Sequence, residues 1–181
     1  MNEHTCPWWL GYTFDNRLRK LFQNPQKILN GYVEKGMTVA DIGCGMGIFS
    51  IGMAQLVGEN GKVIAVDLQK KMLNILMKRA TQAGVANRII PHQCEADDIG
   101  VSQYVDFTLT VWAAHEIRDQ KAFFEQVYSI LKPNGKFLII EPKYHTTLEH
   151  LKNLENLCMQ TGFHKLGNPK VWISYAVLLE K

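Results

Sequence analysis

Long apolar runs, paired cysteines and blocks of one charge are all missing from this chain. No stretch of its 181 residues approaches the roughly 20 consecutive apolar residues that span a bilayer, so no membrane span is expected. Met1-Asn2-Glu3-His4 has none of the basic-then-apolar layout of a secretion signal. The four cysteines, Cys6, Cys44, Cys94 and Cys158, are scattered without a C-x-x-C pair. A disulfide framework is therefore not expected, and a reducing cytoplasm is the expected compartment. His4-x-Cys6 is half of a metal-ligand spacing with no second half, and no metal is assigned. Basic residues never run beyond Lys70-Lys71 and the net charge is only +3, which gives no strong nucleic-acid signal. Repeats, low-complexity tracts and Ser/Pro-rich linkers are absent too, so residues 1–181 read as one domain.

What is present is ordinary in bulk and informative in order. Hydrophobic residues make up 46% and charged residues 20%, as in most globular proteins. Strand-like and helix-like segments alternate, the signature of an α/β layered fold. Asn24-Pro25 reads as an N-cap and first helical residue, opening a short helix through Val33. Strands are expected at Met37–Ile42, Lys62–Asp67, Arg88–Cys94, Tyr104–Trp112 and Lys136–Glu141, the last after a Pro133-Asn134-Gly135 turn. Between them, Met72, Ile75, Leu76, Ala80 and Ala83 form a buried helical stripe, and so do Phe123, Phe124, Val127, Ile130 and Leu131. A last helix through Leu148, Leu151, Leu154, Leu157 and Cys158 closes at Gly162. Phe163–Leu166 and Val171–Leu179 follow with only Gly167-Asn168-Pro169 between them. They form a hairpin, so one terminal strand runs antiparallel to the others.

The densest signal is Val39-Ala40-Asp41-Ile42-Gly43-Cys44-Gly45-Met46-Gly47: an apolar run closing on an acid, then G-x-G-x-G, then a helix-like segment. Glycine carries no Cβ and tolerates positive φ, so such a turn lets backbone approach a ligand closely. Asp67, twenty residues past Gly47, ends the next apolar run, where an acid can grip a ribose diol. Together they indicate a nucleoside-bearing cofactor. The dinucleotide fingerprint needs a third glycine where Ile48 stands, and the Gly-Lys-Ser/Thr of a Walker loop is missing.

What remains resembles motif I of the class I S-adenosylmethionine-dependent methyltransferases, and the likeness covers about Asn24 to the C-terminus. It implies a Rossmann-like, doubly wound seven-stranded sheet, mostly parallel, with an antiparallel C-terminal hairpin strand. It also implies S-adenosylmethionine as cofactor and S-adenosylhomocysteine as product. Gly43, Cys44, Gly45 and Gly47 would then lie against the methionine and ribose part, Asp41 near the ammonium group, Asp67 on the ribose hydroxyls, and Leu68 on the adenine face. At the strand-three tip, Glu95 matches the acid that contacts the adenine amino group, with Ala96 alongside. Asp97 is the alternative register, and Asp98 reads as a solvated loop residue.

Strand four ends in Trp112-Ala113-Ala114-His115, and the resemblance would place Trp112 beside the cofactor and His115 at the border of the methyl acceptor. His115 resembles the histidine of small methyltransferases of quinone biosynthesis. It is the candidate catalytic residue, a general base where the acceptor needs deprotonating, or else a residue that fixes the loop. Glu141, Tyr144 and His145 at the strand-five tip are lesser candidates, each read first as structural or solvent-facing, and Tyr144 joins the candidate acceptor pocket. The four aromatics Trp8, Trp9, Tyr12 and Phe14 would be costly if exposed, so residues 1–23 are expected to form an aromatic arm: a lid placing Trp8, Trp9 and Tyr12 in that pocket, the favoured reading, or a cover for an apolar groove elsewhere or on a second subunit. The reading is an enzyme with a small-molecule acceptor; a cofactor-binding sensor or partner subunit is the alternative, and a nicotinamide oxidoreductase is disfavoured by Ile48. Acceptor identity and oligomeric state are open at this point.

Overall fold

The computed structural model describes residues 23–181; Trp8, Trp9, Tyr12 and the His4/Cys6 pair lie outside the described residues. The helices are α1 (Pro25–Leu29), α2 (Ile48–Val57), α3 (Lys70–Gln82), α4 (Gln120–Ile130) and α5 (Leu148–Thr161). The strands are β1 (Thr38–Ile42), β2 (Lys62–Asp67), β3 (Ile89–Gln93), β4 (Val105–Val111), β5 (Leu131–Pro142), β6 (His164–Gly167) and β7 (Ser174–Glu180). They form one sheet in the order β3-β2-β1-β4-β5-β7-β6. Pairing is parallel from β3 through β5, and antiparallel between β5 and β7 and between β7 and β6. The expected hairpin is present, but its antiparallel member is the last strand, β7, inserted one place in from the edge. Among the described residues no helix is long and apolar enough to cross a membrane.

Side chains alternate across the sheet, as strand pleating requires. Val39, Leu138 and Ile140 pack with α2 and α3 residues such as Phe49, Met53 and Leu76. Ala40, Ile42, Phe137 and Ile139 pack on the opposite face, with Phe123, Phe124, Leu151 and Leu154 of α4 and α5. Burying each of these large side chains contributes about 1.5–3 kcal/mol, and the two layers hold the sheet between them.

Two local readings are corrected. The helix at Pro25 is capped by the Asn24 side chain, which accepts from the Gln26 and Lys27 N–H groups at 3.0 and 3.3 Å. It ends at Leu29 rather than Val33; the rest is a turn in which Tyr32 and Val33 donate back to the Leu29 carbonyl. The Pro133–Gly135 turn lies inside β5, and Leu131 belongs to that strand, not to the preceding helix. Leu131 pairs with Val105, the chain bulges outward with Asn134 at φ 62°, and pairing resumes with Lys136 opposite Phe107. The bulge also changes which face β4 presents. Val105 lies on the α4–α5 side, whereas Phe107, Leu109 and Val111 lie on the α2–α3 side, the re-aiming a bulge produces. Asp106 braces it, accepting from Lys132 Nζ at 2.6 Å and from the Thr38 N–H at 2.9 Å.

Candidate active site

The G-x-G-x-G turn continues the β1–β2 ladder for two residues past β1. Gly43 and Cys44 both donate to the Val66 carbonyl, at 2.9 and 3.0 Å. Gly45 (φ 53°) has no atom within 4 Å of where a Cβ would stand, so its backbone faces open space. Gly47 (φ 87°) caps α2, and a Cβ there would meet Leu76 at 2.5 Å. One glycine opens the turn to a ligand and the other lets α3 close behind it.

That space is a cleft of about 1140 Å³ beyond the carboxyl ends of β1, β2, β3, β4 and β5. This is where ligands bind in doubly wound sheets. Asp41, Gly43, Cys44, Gly45, Asp67, Leu68, Glu95, Ala96, Trp112, His115 and Tyr144 all border it. Gly47 does not; its place is behind the turn. Ile48, the residue that spoils the dinucleotide fingerprint, is 7% exposed and lines the cleft at the start of α2. Carboxylates dominate the wall, with Glu116, Asp97, Asp98 and Asp119 joining Asp41, Asp67 and Glu95 against Arg118. Such a field favours a cationic ligand.

The Asp67 carboxylate is held by two backbone donors, Gly45 N–H to Oδ2 at 2.9 Å and Gln69 N–H to Oδ1 at 2.8 Å. Burial pushes its pKa above the ordinary value, and these two bonds only partly offset that. Each oxygen still has a lone pair for one ribose hydroxyl. Asp41, 2% exposed, accepts from Ser50 Oγ at 2.5 Å, so α2 orients the acid beside the turn. Burial, with the charges of Asp41 and Asp67, pushes the Cys44 thiol well up; it is a packing residue rather than a nucleophile. With Leu68 37% exposed at the β2 tip, these groups fit the adenosine and amino-acid parts of S-adenosylmethionine.

The Glu95–Ile99 loop is braced from α4. Gln126 accepts from the Ile99 N–H and donates to the Asp97 carbonyl, both at 2.8 Å. Asp98 Oδ1 accepts from the Gly100 N–H at 2.8 Å, a turn bond that gives this expected loop residue a local role. Gln126 carried no motif signal, because its use depends on α4 packing beneath a loop far back in the chain.

At the β4 tip, Trp112 takes φ 58°, an uncommon conformation for a bulky residue. Its N–H donates to the Ile140 carbonyl at 2.7 Å, and its indole Nε1 donates to Ser174 Oγ at 3.1 Å. The Tyr144 ring meets the indole edge-on at 5.5 Å. Tyr144 is 53% exposed, which fits a residue at the cleft mouth.

Of the two readings of Glu141, the solvent-facing one does not hold: the residue is fully buried and paired with His115, its Oε2 lying 2.5 Å from Nδ1. Its Oε1 accepts from the Ala114 N–H at 3.1 Å. Burial alone would hold the imidazole pKa down, but the hydrogen bond and charge of Glu141, with the charge of Glu116, raise it above 6.5. Glu141 closes an apolar strand, the same pattern that singled out Asp41 and Asp67, but its pairing with His115 carried no sequence signal.

Residues 33–173 match the family described as methyltransferase domain. A demethylmenaquinone methyltransferase of Oceanobacillus iheyensis is 28% identical over 116 residues, covering 64% of this chain and 49% of that protein. A ubiquinone/menaquinone biosynthesis C-methyltransferase of Haemophilus ducreyi is 28% identical over 110 residues, covering 60% and 42%. The chain thus spans about half the length of the curated relatives it matches. Among solved structures, a SAM-dependent methyltransferase from Aquifex aeolicus superposes with a TM-score of 0.86 at 22% identity, over 97% of this chain and 99% of the other. Motif, sheet order and family match agree: the chain belongs to the methyltransferase-domain family, in its class I, S-adenosylmethionine-dependent form.

Proposed function

We propose that this protein transfers a methyl group from S-adenosylmethionine to a small-molecule acceptor by in-line displacement. The observation that carries this is the open backbone of Gly45 beside the doubly anchored carboxylate of Asp67. Asp67 would hold the ribose hydroxyls, Leu68 the adenine face, Glu95 and Ala96 its edge, and Asp41 the ammonium side, with Gly43, Cys44, Gly45 and Trp112 completing the wall. Gly47 serves from behind by setting the turn. When bound, the donor supplies a sulfonium methyl already activated for displacement. What the chain adds is alignment and exclusion of water.

A small acceptor is supported by the quinone-biosynthesis names of the relatives and by the aromatic rim of Trp112 and Tyr144. The arm 1–23, with Trp8, Trp9 and Tyr12, is proposed as the lid. In support, Gln23 at its base is fully buried and donates to Ser174 Oγ at 3.2 Å, the hydroxyl that also receives Trp112.

The test is calorimetric titration with S-adenosylmethionine, S-adenosylhomocysteine and NAD, followed by assay of S-adenosylhomocysteine release with candidate acceptors. Binding of the two sulfur compounds and turnover are expected. Stabilisation by NAD alone would refute the reading, and donor binding with no turnover across a broad screen would indicate a non-catalytic sensor or partner subunit.

A further inference from the structure

We propose that Glu141 is a positioning residue that presents His115 as proton acceptor, so that the methyl acceptor is a molecule losing a weakly acidic O–H proton as it is methylated. This rests on the methyl-transfer reading above. The first support is where the carboxylate sits. Glu141 lies on β5, opposite Tyr175 of β7, in a run of apolar residues, and is wholly removed from solvent. An ionised acid in such a place is strongly disfavoured unless it is paired. Packing alone would favour an apolar side chain.

The second support is that the loop has other bonds besides those to this carboxylate. Trp112 N–H donates to Ile140 O at 2.7 Å, Glu116 N–H to Ala113 O at 3.1 Å, and Gln120 Nε2 to Ala114 O at 3.1 Å. Glu141 adds one bond to that frame, at the Ala114 N–H, and gives its other oxygen to the imidazole. A carboxylate at Nδ1 fixes the tautomer with the proton on that nitrogen. Nε2 then carries the lone pair. Among the described residues it is neither buried nor hydrogen-bonded, and His115 borders the cleft.

The charged and titratable groups around the ring are Glu141 from β5, Glu116 from its own loop, and His145 and Tyr144 from the turn after β5; His145 stacks on His115 at 6.1 Å. Arg118 and Asp119 border the same cleft. The acids outweigh the single guanidinium, so the imidazolium formed by proton uptake is stabilised where it stands.

The step balances. The acceptor O–H bond breaks and its proton passes to His115 Nε2. The freed electron pair, on oxygen or on a carbon conjugated to it, bonds to the methyl carbon. The carbon–sulfur bond breaks with its pair going to sulfur, leaving a neutral thioether, and the imidazolium later releases its proton to water. An amine attacks through an existing lone pair, and a thiol is already partly ionised near neutral pH. A hydroxyl compound is the acceptor class that gains most from such a base.

The experiment compares wild type with E141Q, E141D and H115N. Affinity for S-adenosylhomocysteine is measured first; its absence in wild type would defeat the methyl-transfer reading itself. Release of S-adenosylhomocysteine is then followed from pH 6 to 10 with a panel of phenols and matched thiols and amines. In wild type, phenols are expected to be methylated with kcat rising through an ionisation above 6.5. Gln at 141 can still accept from Ala114 but offers a donor to Nδ1, forcing the wrong tautomer. E141Q should lose about 100-fold in kcat, with KM and S-adenosylhomocysteine affinity within about twofold of wild type. E141D should recover at least about tenfold of that loss, and H115N should match E141Q. Independently of turnover, the His115 imidazole should titrate at lower pH in E141Q by NMR. Unchanged kcat and titration in E141Q, an effect confined to KM, turnover of thiols or amines alone, or S-adenosylhomocysteine binding with no phenol methylated would each overturn the proposal.

Discussion

Replacing Asp67 with Asn separates what this residue does for the ligand from what it does for the fold. The carboxylate is 9% exposed, and burial outweighs its bonds from Gly45 and Gln69, raising its pKa. The sign follows. A carboxyl that binds its proton more tightly in the folded than in the unfolded state favours folding below its ordinary pKa, 3.8. That contribution is lost as the pH rises through the raised value. At neutral pH the charge is therefore a net cost to the empty protein. Asn removes the charge but can accept from only one of the two backbone donors. The lost acceptor, about 1 kcal/mol, works against the relieved burial, and the Tm of the empty protein should move by less than about 4 °C. Donor affinity behaves differently. Hydrogen bonds from two ribose hydroxyls to an ionised carboxylate are charge-assisted, each about 1.5–3 kcal/mol. Allowing for the residual bonding of an amide, D67N should lose about 2–3 kcal/mol, or roughly 30- to 150-fold in Kd. Calorimetry with S-adenosylmethionine at pH 7.5 reads the affinity, and a thermal melt without ligand reads the fold. An unchanged Kd would refute the ribose role. A large fall in Tm with a parallel fall in affinity would show Asp67 to be a structural residue.

Gly47→Ala places a Cβ 2.5 Å from Leu76 at φ 87°; a stability loss of about 2–4 kcal/mol is expected, read as a lower midpoint in urea. Glu155 is pushed up by its own burial but drawn below 4.5 overall by Lys165 and Asn168, each bonded to it at 2.8 Å. Its contribution is thus present above 4.5 and lost as the pH falls through the lowered value. E155Q should melt about 2–4 °C below wild type at pH 7, with the gap closing in acid; a gap independent of pH would contradict the pairing. Phe124, fully buried against Phe123 and Phe137 with ring centroids at 5.5 and 6.2 Å, should cost about 3–5 kcal/mol as Ala, measured by chemical denaturation.

The glycine-turn side of the cleft was legible in the sequence because its parts are local. An apolar strand, a glycine turn and a helix stand in one run of residues, and Asp67 repeats the pattern one strand later, so neighbours along the chain are neighbours at the cleft. The β4–β5 side was half legible. His115 was singled out at a strand tip, but its partner lies 26 residues away. Their meeting depends on parallel β4–β5 pairing, with Val111 opposite Ile140. Trp112 was placed at the cofactor without its left-handed backbone, since propensity gives a bulky residue no reason to adopt it. The bulge in β5 was read as a plain turn because Pro-Asn-Gly marks both, and only the partner strand tells them apart.

The place of β7 bears on the order in which the molecule assembles. Most neighbours in the β1–β2–β3 half are close in sequence, so the donor turn can form from a short length of chain. Glu141 gains its partner in β7 only when Tyr175 arrives, and the indole of Trp112 waits for Ser174. Edge strand β6 joins the sheet only through β7. Such non-local pairings form late because loop closure must come before them. During synthesis, then, the half proposed to hold the donor is able to take shape first. The half that would hold the acceptor has its framework completed only when the last strand is in place.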